Sequence, residues 1–371
     1  MSEPIKLVDL VDTRLASFLD SRASELEAIS PDLLHIMEYT RGMLATGKRF
    51  RARFCYWGWR AGSASELDPG LGAETVDDLD AVISLALSLE VFHAAALVHD
   101  DIMDNSDTRR GKPSAHRAFE TIHRERSYAG GSEHFGQSTA LLVGDLLLAW
   151  SDDLLNQALI AIDSPTIALA TRAEFSRMRQ EVTVGQYLDI HEEAAWLHSS
   201  QAERLERALR VVTYKSAKYS MEAPLLIGAS LAGANTSKLG ALSAFGLPLG
   251  IAFQLRDDVL GVFGNSEVTG KPSGDDLREG KRTVLIALAE AAMPAGAKTV
   301  FNEMLGDRSL SGEQIEVMQE TLQATGALEK IEAMISDYVS QAMDALRGAH
   351  WSPGAAAELT RLAEAVTQRQ A

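Results

Sequence analysis

The segment from Val82 to Met103 constrains this chain more than any other. It reads as one long helix that is apolar on nearly every side until Asp100. A helix without a polar face has nothing to offer solvent, so it belongs at the centre of a bundle with other helices packed around it. Its last turn, Asp100-Asp101-Ile102-Met103-Asp104, then places three carboxylates where an apolar core would make them expensive.

The rest of the chain follows the same period. Leu205–Tyr219, Ile315–Leu322 and Leu328–Leu346 place apolar residues three and four apart with charges between them. Alternating runs bounded by turn signals are scarce, so a large sheet is not expected. Three stretches read as loops: Ala61–Asp80, Tyr128–Gln137 and Gly264–Gly280. None resembles a linker and no fixed repeat is present, while the tail from Ala355 reads as a peripheral helix. The expected architecture is all-α, a single-domain bundle of about ten or more helices. Its motif-bearing core spans about 40–290 and its C-terminal helices about 291–371.

Charge narrows the function. Acidic residues outnumber basic ones 52 to 35, for a formal net charge of -17. That sign opposes sequence-independent binding to DNA, RNA or anionic lipid, so no nucleic-acid partner is expected. The one cysteine, Cys55, lies among Phe54, Tyr56 and Trp57 and reads as a small core residue. The most apolar windows, Ala140–Trp150 and Leu225–Ala234, are short or carry Asp145, and no basic-then-apolar leader opens the sequence. The expectation is a cytoplasmic protein with no integral membrane segment.

Aspartate pairs recur at 77–78, 100–101, 152–153, 257–258 and 275–276, so a pair alone means little. Asp77 and Asp78 read as complements to the positive start of the long helix, and Asp152-Asp153 as a solvated turn. Asp100 and Asp104 differ: four apart, they share one helical face. Their mutual repulsion calls for a cation, and oxygen ligands suit Mg²⁺ above all. Arg109-Arg110-Gly111-Lys112 follows, a cationic turn fitted to phosphate oxygens. A second apolar run, Leu242–Phe253, ends in Gln254-Leu255-Arg256-Asp257-Asp258, with Gly270-Lys271 and a basic loop through Lys281-Arg282 beyond it. Metal and arginines together imply a phosphorylated ligand.

In this order and spacing, Asp100–Asp104 with Arg109-Arg110-Gly111, Gln254-x-x-Asp257-Asp258 and Gly270-Lys271 resemble the trans-type isoprenyl diphosphate synthases, the polyprenyl synthetase family. The resemblance runs from about Gly47 to Arg282 and points most to a geranylgeranyl diphosphate synthase. It implies helices around a deep central cavity, usually in a homodimer, with the two Asp-rich helices facing each other at the cavity mouth. It further implies about two or three Mg²⁺ ions per active site. Asp100, Asp104 and Asp257 would coordinate them, with Asp101 and Asp258 as direct or water-mediated partners. Arg109, Lys215 and Lys271 would hold the allylic diphosphate (dimethylallyl, geranyl or farnesyl). Ser216, Gln186, Gln254 and Lys281 complete that side. Isopentenyl diphosphate, which brings no metal, would lie in a cationic cradle of Lys48, Arg51, His93 and Arg110. Taken alone, His93 would read as a core histidine, and His99 keeps that reading.

Two departures stand out. Gly261 occupies a place where many relatives carry a third aspartate, and 118–137 is long enough for a lid or a loop. A terpene cyclase would not need the second cradle, and a non-catalytic regulatory subunit tends to lose an Asp-rich motif. Chain length is expected to follow the face of the long helix leading away from Asp100. Ala95 and Ala96 are too small to block a growing chain, and Phe92 is the first aromatic obstacle one ~5.4 Å turn deeper. Geranylgeranyl diphosphate is the expected product, with farnesyl or longer C25–C30 chains as the alternative.

Overall fold

The computed structural model describes residues 3–63, 76–264 and 273–367. Sixteen labelled α-helices follow among them: α1 (Glu3–Ile29), α2 (Leu34–Leu44), α3 (Phe50–Gly62), α4 (Val76–Met103), α5 (Ala115–Glu125), α6 (Ser132–Ile160), α7 (Pro165–Ala195), α8 (Arg204–Val211), α9 (Ala223–Leu231), α10 (Thr236–Phe263), α11 (Asp275–Glu279), α12 (Val284–Ala292), α13 (Ala295–Met304), α14 (Gly312–Ala324), α15 (Ala327–Gly348) and α16 (Pro353–Thr367). A wide-turned π-helical stretch, Val212–Glu222, separates α8 from α9. Among the described residues the strands are β1 (Thr108–Arg109) and β2 (Lys112–Pro113), a single antiparallel hairpin. The chain divides into two compact units: 1–172 with 227–234, and 173–226 with 235–371.

In the first unit α4 is the central helix that its composition demands. Leu85, Leu87, Leu89, Val91, Ala95 and Val98 are all fully buried, and residues 81–92 are buried without a break. The helix starts earlier than its apolar run, so Asp78 and Asp80 stand in its first turns, and Asp80 pairs with Arg14 of α1. Cys55 is buried in α3 as expected, where the carbonyl before the next turn leaves no room for a side chain at Gly228. His99 lies where α6 crosses: a side chain at Gly144 would strike its imidazole, and its Nε2 is 3.3 Å from the Leu141 carbonyl. Asp153 sits at the surface and binds Arg22 of α1 at 3.1 Å.

The stretch 118–137 is two helix ends with only the short connection 126–131 between them. Helix α5 continues to Glu125, and α6 begins at Ser132. The two pack so closely that a Cβ at Gly136 would fall on the carbonyl of His116.

The second unit is built on α10. Its buried Leu255, Val259 and Val262 share a core with Ile286 and Ala289 of α12, Leu322 of α14 and Ile331 of α15. Side-chain caps start several of these helices: Asn235 accepts from Lys238 N, Thr283 from Ile286 N, and Ser311 forms a capping box with Gln314. Residues 275–279, expected as part of the loop that runs through Lys281-Arg282, are instead the short helix α11. Helices α4 and α10 are each long and apolar enough to cross a membrane, but the most apolar window of α4 is 83% buried within the protein. Burial inside a bundle accounts for its hydropathy.

Candidate active site

The first carboxylate cluster closes α4. Asp104 N still donates to Asp100 O at 2.8 Å, and Asn105, with φ of 50°, ends the helix in the left-handed region. Arg117 ties down the loop that follows, reaching Asp107 at 2.7 Å, Asn105 at 3.1 Å and Glu120 at 3.0 Å. The chain then turns through the two-residue hairpin loop Arg110-Gly111, where both φ angles are positive. That reversal sends Arg109 back to α4. Its Nε donates to the fully buried Asp101 at 2.9 Å, while its Nη2 stands 3.6 Å from Asp100. Asp101 therefore orients an arginine, and Asp100 and Asp104 remain on the partly exposed face.

That face can be followed along the helix. His93, Ala96, Leu97, Asp100 and Asp104 are all partly exposed at spacings of three and four, whereas Phe92 and Ala95 are buried.

A narrow cleft near its deeper end is lined by Leu44, Thr46, Arg49, Glu90, His93 and Arg110. Arg49 is in the left-handed region, with φ of 52°, and its buried side chain is held by the Leu44 carbonyl at 2.5 Å and by Asp12 at 2.9 Å. Glu90 lies 3.8 Å from Arg49 and accepts from Ala52 N at 3.0 Å, pinning the start of α3. Arg110 reaches over to the carbonyl and hydroxyl of Thr46. Burial, then the positive charges of Arg51, Arg110, Arg109 and Arg49, hold the pKa of His93 well below the usual imidazole range. A neutral histidine among four guanidiniums is a setting for a polyanion. Lys48 is exposed beside this cleft, its Nζ 6.0 Å from the Phe50 ring.

The second unit contributes a different set. Lys215 and Ser216 lie in the π-helical stretch, a geometry over-represented at functional sites. Two glycines bring neighbours against it. A side chain at Gly185 of α7 would meet the backbone of Tyr214 and Lys215, and one at Gly250 of α10 would meet the carbonyl of Ala217. Each leads one turn on to a polar residue: Asp189 on α7 and Gln254 on α10. Lys215 Nζ donates to Asp189 Oδ2, and Lys281 Nζ approaches the same oxygen at 3.3 Å and Glu193 Oε1 at 3.0 Å. Two ammonium groups thus share one carboxylate oxygen. Gln186, on the same turn of α7, is partly exposed.

On α10, Gln254 Nε2 donates to Asp258 Oδ1 at 2.7 Å, while Asp257 is exposed. Burial raises the pKa of Asp258 well above the carboxylate range, and the like charges of Asp276, Asp257 and Asp189 push it further, against the opposing Gln254 bond. Asp276 approaches because position 261 is glycine: a Cβ there would fall on the Asp276 carboxylate. Among the described residues no three carboxylates, imidazoles or thiolates converge as ligands of one ion. Mg²⁺ keeps several waters and takes one or two carboxylates with the oxygens of a bound phosphate. Mutual repulsion at Asp258 is what such an ion would relieve, so the donor set fits.

Lys271 and its neighbour Gly270 lie outside the described residues, as does the side chain of Asp77. Sequence reasoning missed Arg49, Glu90, Asp189 and Glu193 as parts of these clusters. Gly185, a glycine inside a helical pattern, is the legible signal for the last two, and an acidic Glu90 on an apolar helix is the signal for the first two.

An all-helical chain of this architecture has the fold of an isoprenoid synthase. Residues 31–322 match the model of the polyprenyl synthetase family, and the chain belongs to it. It is a prenyltransferase. It is 33% identical over 259 residues to a geranylgeranyl diphosphate synthase of Sulfolobus acidocaldarius, covering 70% of this chain and 71% of that one. It is 31% identical over 297 residues to a (2E,6E)-farnesyl diphosphate synthase of Mycobacterium bovis, covering 79% and 75%. The crystal structure of geranylgeranyl pyrophosphate synthase from Corynebacterium glutamicum, complexed with isoprenyl diphosphate and magnesium, superposes with a TM-score of 0.89 at 38% identity, over 98% of this chain and 99% of that one.

Proposed function

We propose that this enzyme condenses isopentenyl diphosphate head-to-tail with an allylic diphosphate, as one synthase domain, a homodimer in the cytoplasm, with geranylgeranyl diphosphate as its main product. The observation that carries the reading is the presence of two chemically different anion cradles. One is rich in arginine: Arg51 and Arg110 beside neutral His93, with Lys48 at its edge and Arg49 held by Asp12 and Glu90. It suits isopentenyl diphosphate, which arrives without metal. The other pairs Lys215 and Lys281 with carboxylates, as an allylic diphosphate carrying Mg²⁺ requires.

Asp100, Asp104, Asp257 and Asp258 would hold the ions, which supply Lewis acidity to the departing diphosphate when bound. The chain's own residues do the rest. Lys215, Lys281 and Arg109 neutralise the diphosphate as its C–O bond lengthens and allylic cation character develops. Asp101 keeps the Arg109 guanidinium aimed through the bond it accepts from Nε. The other cradle holds the alkene of isopentenyl diphosphate at attacking distance. The methylene proton lost after carbon–carbon bond formation passes to the released diphosphate. Apolar side chains on α4 keep water from the cation.

Product length rests on α4. Ala96 lies on the partly exposed face with Asp100, and Phe92 stands one turn deeper, a rise of ~5.4 Å or roughly one isoprene unit. Incubating the protein with labelled isopentenyl diphosphate, Mg²⁺ and each allylic primer tests the reading: chain-elongated diphosphates support it, while a cyclic hydrocarbon or no turnover overturns it.

A further inference from the structure

Lys281 sits in the two-residue link between Gly280, which ends α11 with φ of 80°, and Thr283, which caps α12. A lysine on so short a coil would ordinarily sample many directions. Here the backbone is held on both sides. Lys281 N donates to Asp276 O at 3.1 Å, and the next side chain, Arg282, enters a buried cluster.

Glu290 of α12 is the centre of that cluster and is fully buried. Its Oε2 accepts from Arg204 Nη1 at 2.6 Å and from Trp196 Nε1 at 2.9 Å, and its Oε1 faces Arg282 Nη1 at 3.5 Å. Arg282 is further held by Asn302 Oδ1 at 2.5 Å. Both guanidiniums lie over the Trp196 ring, at 5.2 and 5.8 Å from its centroid. Arg204 also donates to the Trp196 carbonyl at 3.1 Å. A buried carboxylate with these partners has few alternative arrangements, because each leaves a charge uncompensated.

The cluster grips both partners of the lysine contact. Arg282 fixes the backbone from which Lys281 springs. Trp196 fixes the end of α7, three residues beyond Glu193 and seven beyond Asp189, the two carboxylates that Lys281 meets. We propose that Arg282, anchored by Glu290, Trp196 and Arg204, is a positioning residue that sets Lys281 beside Lys215 to receive the allylic diphosphate. This rests on the assignment of Lys215 and Lys281 to that substrate.

The test is Arg282→Gln in the full chain, assayed with geranyl and isopentenyl diphosphates. The KM for the allylic substrate should rise about tenfold, as for a weakened charge-assisted contact, with the KM for isopentenyl diphosphate within about twofold of wild type. Lys281→Gln should give the same split, and the double variant should be no worse than Lys281→Gln alone. Multiplicative effects, or equal loss for both substrates, would overturn the proposal. Should Arg282→Gln fail to fold, Asn302→Ala removes only the outer anchor and should raise the same constant by a smaller factor; an unchanged constant there counts against it. Calorimetry with inorganic pyrophosphate and Mg²⁺ separates the two claims. If wild type makes no product yet binds pyrophosphate more tightly than both single variants, the catalytic assignment fails and the positioning survives. Equal binding by all three sinks the positioning.

Discussion

Gly261 and Asp276 occupy one space: the Asp276 carboxylate lies where a side chain at 261 would begin. The second aspartate motif therefore lacks a third carboxylate along α10 but has one delivered beside it from α11. The glycine is a fitted contact, not a loss. Gly261→Ala should turn the flexible Asp276 carboxylate aside and raise the Mg²⁺ concentration needed for half-maximal rate, with little change in the thermal midpoint because alanine favours the helix. An unchanged Mg²⁺ dependence would show that Asp276 has no part in holding the ion.

Asp100→Ala and Asp257→Ala should each reduce condensation by on the order of 10²–10³ with the fold retained, the usual cost of removing a charge-stabilising group from a transition state. Circular dichroism checks the fold and product formation the rate. Asp152→Ala is the control and should lose little. Wild-type turnover in either of the first two variants would remove these carboxylates from the site.

The two cradles should separate kinetically. Lys48→Ala is expected to raise the KM for isopentenyl diphosphate more than that for the allylic primer, and Lys215→Ala to do the reverse. Each should shift its own substrate by about tenfold or more, the range for losing one hydrogen bond to a charged group. Equal weakening of both substrates by both variants would mean that the cradles are wrongly drawn.

Phe92→Ala should lengthen the products and Ala96→Phe should shorten them to farnesyl diphosphate. Phe92 is buried at 5% exposure, so its truncation should also cost about 3–5 kcal/mol of stability, and the assay belongs well below the lowered midpoint. Chromatography of the dephosphorylated products reads the outcome. An unchanged distribution in both variants would place the floor of the pocket on other helices.

His93 should stay neutral through the physiological range. Its folded pKa lies below the unfolded value of about 6.5, so the folded state binds that proton more weakly. The associated stability is complete above pH 6.5 and is lost as the pH falls below it toward the lowered folded value. Wild type should therefore lose more of its thermal midpoint between about pH 7 and 5 than His93→Gln does. A parallel decline in both proteins would contradict the burial of this imidazole among arginines.

The sequence by itself determined the class of fold and the family, and it marked the carboxylates to which the chemistry is assigned as a proposal. An apolar helix without a solvent face has to be central, and carboxylates closing it, at Asp100 and Asp104, have to meet cations; both follow from local composition and a period of 3.6. The expected loops fared less well. The stretch 118–137 became the tightly packed ends of α5 and α6, and 275–279 became a helix, because polar, glycine-bearing segments fold according to what they pack on. Only the tertiary structure decided that Asp101 aims Arg109, that Asp189 gathers Lys215 and Lys281, and that Asp276 occupies the space at Gly261. These pairings join residues 8 to 92 positions apart or turn on a missing Cβ. Neither a helical period nor a propensity carries such information: it arises when glycines let two backbones close, and buried charges then take the partners within reach.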